Sequence, residues 1–277
     1  LALPPERLAH EPTVVDAASG HVAANRTSQS AILAVDGTSA QQRRQRKMDQ
    51  QLVTVLYTAS TWVVPVVLAI TLHEAAHGFV AHWFGDDTAW RLGRVSLNPL
   101  KHVDPFGTIV LPAMLLLLRT PFLFGYAKPV PVNFGALHRP RRDMVWVAAA
   151  GPATNLVLAM AAALMVHLVG LLPAGAHEWL LQNLENAILI NVMLAVFNMI
   201  PLPPLDGGRV AVGLLPASLA LPLARLERHG MLILIGLLFI LPMLGAQLGL
   251  NLNILGVLLG RVVDAVIEVI LRIAGVA

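Results

Sequence analysis

Two histidines four residues apart flank a glutamate in the run His73-Glu74-Ala75-Ala76-His77. On an α-helix that spacing puts both imidazoles on one face, able to bind one ion, with Glu74 in reach of a water in the ion's open position. Zinc brings the pKa of such a water towards neutrality, and a carboxylate beside it can take the proton as the water attacks a peptide carbonyl. The run lies inside an apolar stretch, Leu52 to Phe84. A charged side chain at mid-membrane costs roughly 2.5–3.5 kcal/mol or more. A glutamate and two histidines there require a partner, and a metal ion supplies one.

A catalytic zinc usually takes three protein ligands and leaves a fourth position for water. Asp206 is the candidate third ligand, because it closes the apolar stretch Ile188 to Leu205 and is followed by Gly207 and Gly208, which let backbone approach closely. The other histidines fit less well. His82 falls five residues after His77, off the shared face, and reads as an interfacial histidine; His102 sits in a polar connection. His138, His167, His177 and His229 have no ligand spacing.

The elements that must carry these residues are apolar helices. Of 277 residues 56% are hydrophobic and only 13% charged, and the mean hydropathy of +0.70 lies well above that of soluble domains. Roughly 20 apolar residues cross a bilayer core. Leu52–Phe84, Met144–Leu172, Ile188–Leu205 and Met231–Leu248 are therefore expected spans, in an all-α multi-pass membrane protein built as a helical bundle. Phe106–Leu118 is short and broken by Pro112, and Phe122–Phe134 is rich in Gly and Pro. Together they suit a re-entrant or extended segment between the first and second core helices. On Leu252–Ile273, Arg261, Asp264, Glu268 and Arg272 share one helical face, which either packs inward or lies at the interface. There is no cysteine, so disulfides and thiolate metal sites are excluded.

Residues 1–50 are polar and end in the basic run Arg43, Arg44, Arg46 and Lys47. Such composition predicts a disordered extension ahead of a membrane domain over 51–277. It is either a true tail or sequence upstream of a translation start at Met48, which the intact mass of natively expressed protein would distinguish. The formal charge of +3 and the pI near 9.8 do not signal nucleic acid, because the basic residues cluster in connections between apolar segments. Ligands of one ion must lie at one membrane depth. His73 and His77 come late in their helix and Asp206 at the end of its own, so an odd number of crossings must separate them. Met144–Leu172 supplies one. The basic connections then fall on a single side, cytoplasmic by the positive-inside rule, and only Arg43–Lys47 is misplaced.

With HEAAH at 73–77, AGPATN at 150–155 and NMIPLPPLDGG at 198–208, the chain resembles the site-2 protease family of intramembrane zinc metalloproteases. NPLKHVDPFG at 98–107 and AKPVPVN at 127–133 look like the compact members of that family, which lack PDZ and CBS domains. The resemblance implies one zinc ion held by His73, His77 and Asp206, with Glu74 as the catalytic glutamate. It also implies substrate or oxyanion contacts from Asn155 and Asn198, for which helix–helix hydrogen bonding is the alternative. The implied substrate is a membrane-spanning helix of another protein, cut within or near the lipid bilayer of the cell membrane. FGYAKPVPVN would offer a strand edge to the unwound substrate. Two rival functions use the same residues, a catalytically inactive adaptor or chaperone of this fold and a metal transporter.

Overall fold

The computed structural model describes residues 14–110, 114, 117 and 127–276. No strand occurs among them. The chain divides into two units, residues 1–58 and 59–277. The first unit is described from Val14 onward as helix, the opening of α1 (Val14–Trp83), and its residues 43–58 are exposed. Of residues 1–50, expected to be a disordered extension, 1–13 lie outside the described residues, and the backbone from Val14 is described as helix. Ala, Gln, Arg and Lys are strong helix formers, and a turn already nucleated can propagate without burying anything.

The second unit holds the remaining elements. Besides one helical turn at Thr88–Arg91 and short 3-10 and π turns, these are α2 (Pro140–Met165), α3 (Ala174–Asn198), α4 (Asp206–Leu214), α5 (Ala217–Arg225), α6 (Glu227–Gln247) and α7 (Ile254–Ala274). Four helical stretches are long and apolar enough to cross a membrane: Arg43–Trp83, Pro140–Leu171, Ala174–Asn198 and Glu227–Gln247. The protein is therefore an all-α membrane protein.

Helix α2 opens on Pro140, whose missing N–H costs nothing in a first turn. Asp143 reaches back to accept the Arg139 N–H at 2.6 Å, which places a negative charge at the positive end of the helix. Apolar residues of α2, α3 and α7 form the main core, with Ala159, Ala163, Ile188, Val192, Val263 and Ile270 buried together. Buried asparagines on α3 add directional contacts: Asn186 donates to the Thr61 carbonyl of α1 at 3.0 Å. Such bonds substitute for the hydrophobic driving force that helices lack in lipid. On α7 the apolar face meets the core, while Arg261, Asp264, Glu268 and Arg272 are exposed and Glu268 pairs with Arg272. The charged stripe thus faces outward.

Two boundaries differ from expectation. The third span begins at Ala174 and stops at Asn198 rather than running from Ile188 to Leu205. Pro201, Pro203 and Pro204 remove the donors a helix would need there, and Asp206 opens a new helix instead of closing the old one. The segment between α1 and α2 holds a π-helical turn at Pro105–Val110, and Met114 and Leu117 are helical; much of Phe106–Leu118, and Phe122–Tyr126, lie outside the described residues.

The turn before α4 folds back tightly on its own backbone. A Cβ on Gly207 would lie 2.2 Å from the Met199 carbonyl oxygen, and one on Gly208 would lie 2.2 Å from the Pro203 nitrogen. Only glycine lets Asp206 sit where it does. We expect Gly208→Ala to destabilise the protein by about 1–3 kcal/mol, the usual range for overpacking. Thermal unfolding in detergent would register this as a lowered Tm, and an unchanged Tm would show that the turn can relax.

Candidate metal centre

His73 and His77 lie on one face of α1, and both are buried. Their Nε2 atoms are 3.1 Å apart. Asp206, at the first turn of α4, brings Oδ2 to 3.2 Å from His73 Nε2 and 3.3 Å from His77 Nε2. Among the described residues this is the single group of three histidine or acidic side chains that converges so closely.

The second nitrogen of each ring fixes which atom carries the proton. His77 Nδ1 lies 2.7 Å from the Val147 carbonyl oxygen, and His73 Nδ1 lies 2.6 Å from Asn155 Oδ1. Both partners accept, so both Nδ1 atoms donate, and in its neutral form each ring keeps a bare lone pair on Nε2. Asp206 Oδ2 is buried and finds no hydrogen-bond partner. Three electron-pair donors thus face one another with no hydrogen between them, which repels unless a cation sits among them. The spacing suits one: ligand atoms about 2.0–2.1 Å from a tetrahedral zinc stand about 3.3 Å apart. Two imidazoles and a carboxylate are also a donor set that zinc accepts, and the residues present fit the ion.

Gly151 of α2 makes room for this arrangement. A Cβ there would come within 2.5 Å of His77 Nε2 and 2.6 Å of His73 Nε2. Glu74 is half-buried beside the histidines, and its Oε2 accepts the Val130 N–H at 2.8 Å. Val130 belongs to residues 127–133, which carry no regular structure but are pinned at several points. Lys128 N–H donates to the His102 carbonyl at 2.9 Å, and Arg94 donates to the Lys128 carbonyl at 2.9 Å. Asn133 N–H donates to fully buried Asp86 at 2.6 Å. Donors at 128, 130 and 133 are therefore already used, and Pro129 and Pro131 have none. That leaves little of a donor edge for a substrate strand.

A cavity of about 230 Å³ opens beside His73 and Glu74. Asn198, Leu194 and Phe197 of α3 border it, with Met231, Leu234 and Phe239 of α6 opposite. Asn198 donates Nδ2 to its own helix at the Leu194 carbonyl, 3.0 Å away. Asn155 is fully buried and its amide is spent, with Oδ1 on His73 and Nδ2 shared between the Ala69 carbonyl at 3.2 Å and Asn191 Oδ1 at 2.8 Å. The remaining histidines sit elsewhere. His82 stacks on Trp90 and, with Arg91, holds the Asp87 carboxyl below its usual range. His102, His167 and His177 each contact a backbone carbonyl. Reading the sequence missed Val130, Val147 and Asn191. The first two act through backbone atoms, which leave no side-chain signature; Asn191 had a signal, as an amide in an apolar helix.

The model of peptidase family M50 matches residues 165–243. A Bacillus subtilis protein named "Putative zinc metalloprotease YwhC" is 38% identical over 200 residues, covering 71% of this chain and 87% of that protein. Proteins named "Putative zinc metalloprotease Rip2" are also similar. The one from Mycolicibacterium smegmatis is 32% identical over 62% of this chain and 64% of its own length, and the one from Mycobacterium tuberculosis H37Rv is 31% identical over 51% and 52%. No solved structure matches.

Alanine at position 151 tests the close approach directly. We expect Gly151→Ala to push the imidazoles apart and to lower the zinc content of purified protein well below that of the unmodified chain. Full zinc content in a folded Gly151→Ala protein would show that the two helices can separate without losing the centre.

Proposed function

The chain belongs to peptidase family M50, the site-2 protease family, and is a zinc metalloprotease of the membrane; on that premise we propose that it cuts a membrane-spanning segment of another membrane protein. In this reading His73, His77 and Asp206 hold the ion and Glu74 handles the proton. One observation carries it: three bare donor atoms within 3.3 Å of one another, with Glu74 next to His73 in sequence and lining an apolar cavity.

Bound zinc supplies a Lewis acid that makes water a nucleophile near neutral pH. Glu74, steadied at Oε2 by the Val130 N–H, accepts the proton of the attacking water and returns it to the leaving amide nitrogen. Asn198 borders the cavity and contacts the substrate backbone there. Asn155 works one step behind, holding His73, because it is fully buried and both its N–H groups are engaged within the protein.

The cavity lining supports an apolar substrate. Leu194, Phe197, Met231, Leu234 and Phe239 would take an apolar side chain of a transmembrane segment. In a helix the peptide carbonyls are held by their own hydrogen bonds, so the segment must unwind before cleavage. Orientation follows from charge. Arg91, Arg94, Lys101 and Arg139 lie between the first two spans, Arg141 and Arg142 in the first turn of the second, and Arg209 and Arg225 between the last two, which supports a centre towards the cytoplasmic face of the cell membrane.

Two measurements test this. Glu74→Gln should keep stoichiometric zinc while cleavage of a single-pass substrate in proteoliposomes falls by about 10²–10⁴, the usual share of general acid–base catalysis. Wild-type rates from Glu74→Gln would end the hydrolytic assignment. Because the chain has no cysteine, single substitutions report topology cleanly. Gly175→Cys should react with an impermeant thiol reagent added outside the cell, and Leu97→Cys should react only after lysis. The opposite pattern would place the centre on the other face.

A further inference from the structure

Zinc binding at His73 needs its proton on Nδ1, and a histidine alone does not dictate that choice. Asn155 imposes it only if the amide presents oxygen to the ring. Turned over, Asn155 would offer Nδ2–H instead, which would strip Nδ1 of its proton, move that proton to Nε2 and remove the lone pair a metal needs. Something must therefore hold the amide one way round.

We propose that Asn191 on α3 is a positioning residue that sets the tautomer of His73 through Asn155. The chain of constraint starts at two backbone carbonyls, which can only accept. Asn191 Nδ2 donates to the Ala187 carbonyl at 2.8 Å, so Asn191 must turn Oδ1 towards Asn155. That oxygen accepts Asn155 Nδ2 at 2.8 Å, and the Ala69 carbonyl accepts the other Nδ2 hydrogen at 3.2 Å. With both hydrogens engaged, Asn155 Oδ1 is the one atom left for His73 Nδ1, at 2.6 Å. Every link is buried, with Asn155 at 0% and Asn191 at 3% exposure, so no solvent competes for the amides. Three elements are coupled this way: α1 supplies Ala69 and His73, α2 supplies Asn155, and α3 supplies Asn191 and Ala187. His77 needs no such relay, because its Nδ1 meets the Val147 carbonyl directly.

The inference rests on the reading of His73 as a metal ligand, and its test separates the two. Apparent zinc affinity is measured by chelator competition on purified protein, with thermal unfolding of the metal-free form as the control for folding. Asn191→Leu removes the acceptor, and zinc should bind about 10–100-fold more weakly, as is usual when an outer partner of a ligating histidine is lost. Asn191→Asp keeps an oxygen that accepts from Asn155, and should bind within about threefold of the unmodified chain, well short of the loss seen when such a partner is removed. If leucine prevents folding, alanine at 191 is read in the same way. The ¹⁵N signal of His73 in the metal-free unmodified protein should show the proton on Nδ1. Folded Asn191→Leu with unchanged affinity, Asn191→Asp no better than Asn191→Leu, or a proton on Nε2 would each overturn the inference while leaving the zinc reading intact. Absence of zinc binding by the unmodified chain would remove both.

Discussion

Around His73, His77 and Asp206, three electron-pair donors stand within 3.3 Å of one another with no hydrogen to share among them. Bringing a carboxylate and two imidazoles out of water is costly, and bringing their lone pairs together adds repulsion. A divalent cation turns both terms around, because the same atoms become its ligands. Much of the architecture near the centre can be understood as the means of keeping these atoms together in a largely apolar protein.

Three local solutions serve that end. Small residues let helices touch: Gly151 brings α2 against the imidazole edges, and the paired glycines after Asp206 let the turn 199–205 close on itself. Buried amides supply direction that apolar packing lacks, since Asn155, Asn186 and Asn191 bind α1, α2 and α3 at defined atoms. Helix ends supply polarity, and Asp206 sits in the first turn of α4, where backbone N–H groups favour an anion. Each is a short-range contact, and together they hold segments more than a hundred residues apart in sequence.

Glu74 is treated differently from the three donors. It is half-buried beside a cavity and takes a hydrogen bond from a backbone N–H, in a segment that Asp86, Arg94 and His102 tie down. A backbone N–H partner steadies a carboxylate without neutralising it as a cationic side chain would. The segment 127–133 thus has a place in the site as the support of Glu74, whereas little of the strand edge expected of it is left.

The span-forming stretches, the metal-binding pattern and the pairing of His73 and His77 with a distant Asp206 could be read from the residues, because each has a local signature. Hydropathy marks a span, four-residue spacing marks a shared helical face, and an acid beside paired glycines in an apolar setting is conspicuous. Helix ends were less legible: α3 starts fourteen residues before Ile188, since Glu178, Gln182, Asn183, Glu185 and Asn186 interrupt the apolar run over its first half. Likewise, the backbone groups of Val130 and Val147 and the orientation of Asn155 were decided by the tertiary structure alone. A carbonyl or an N–H belongs to every residue type, and an amide can face either way. Which one meets an imidazole depends on where three helices touch, and that is a property of their packing rather than of any one segment.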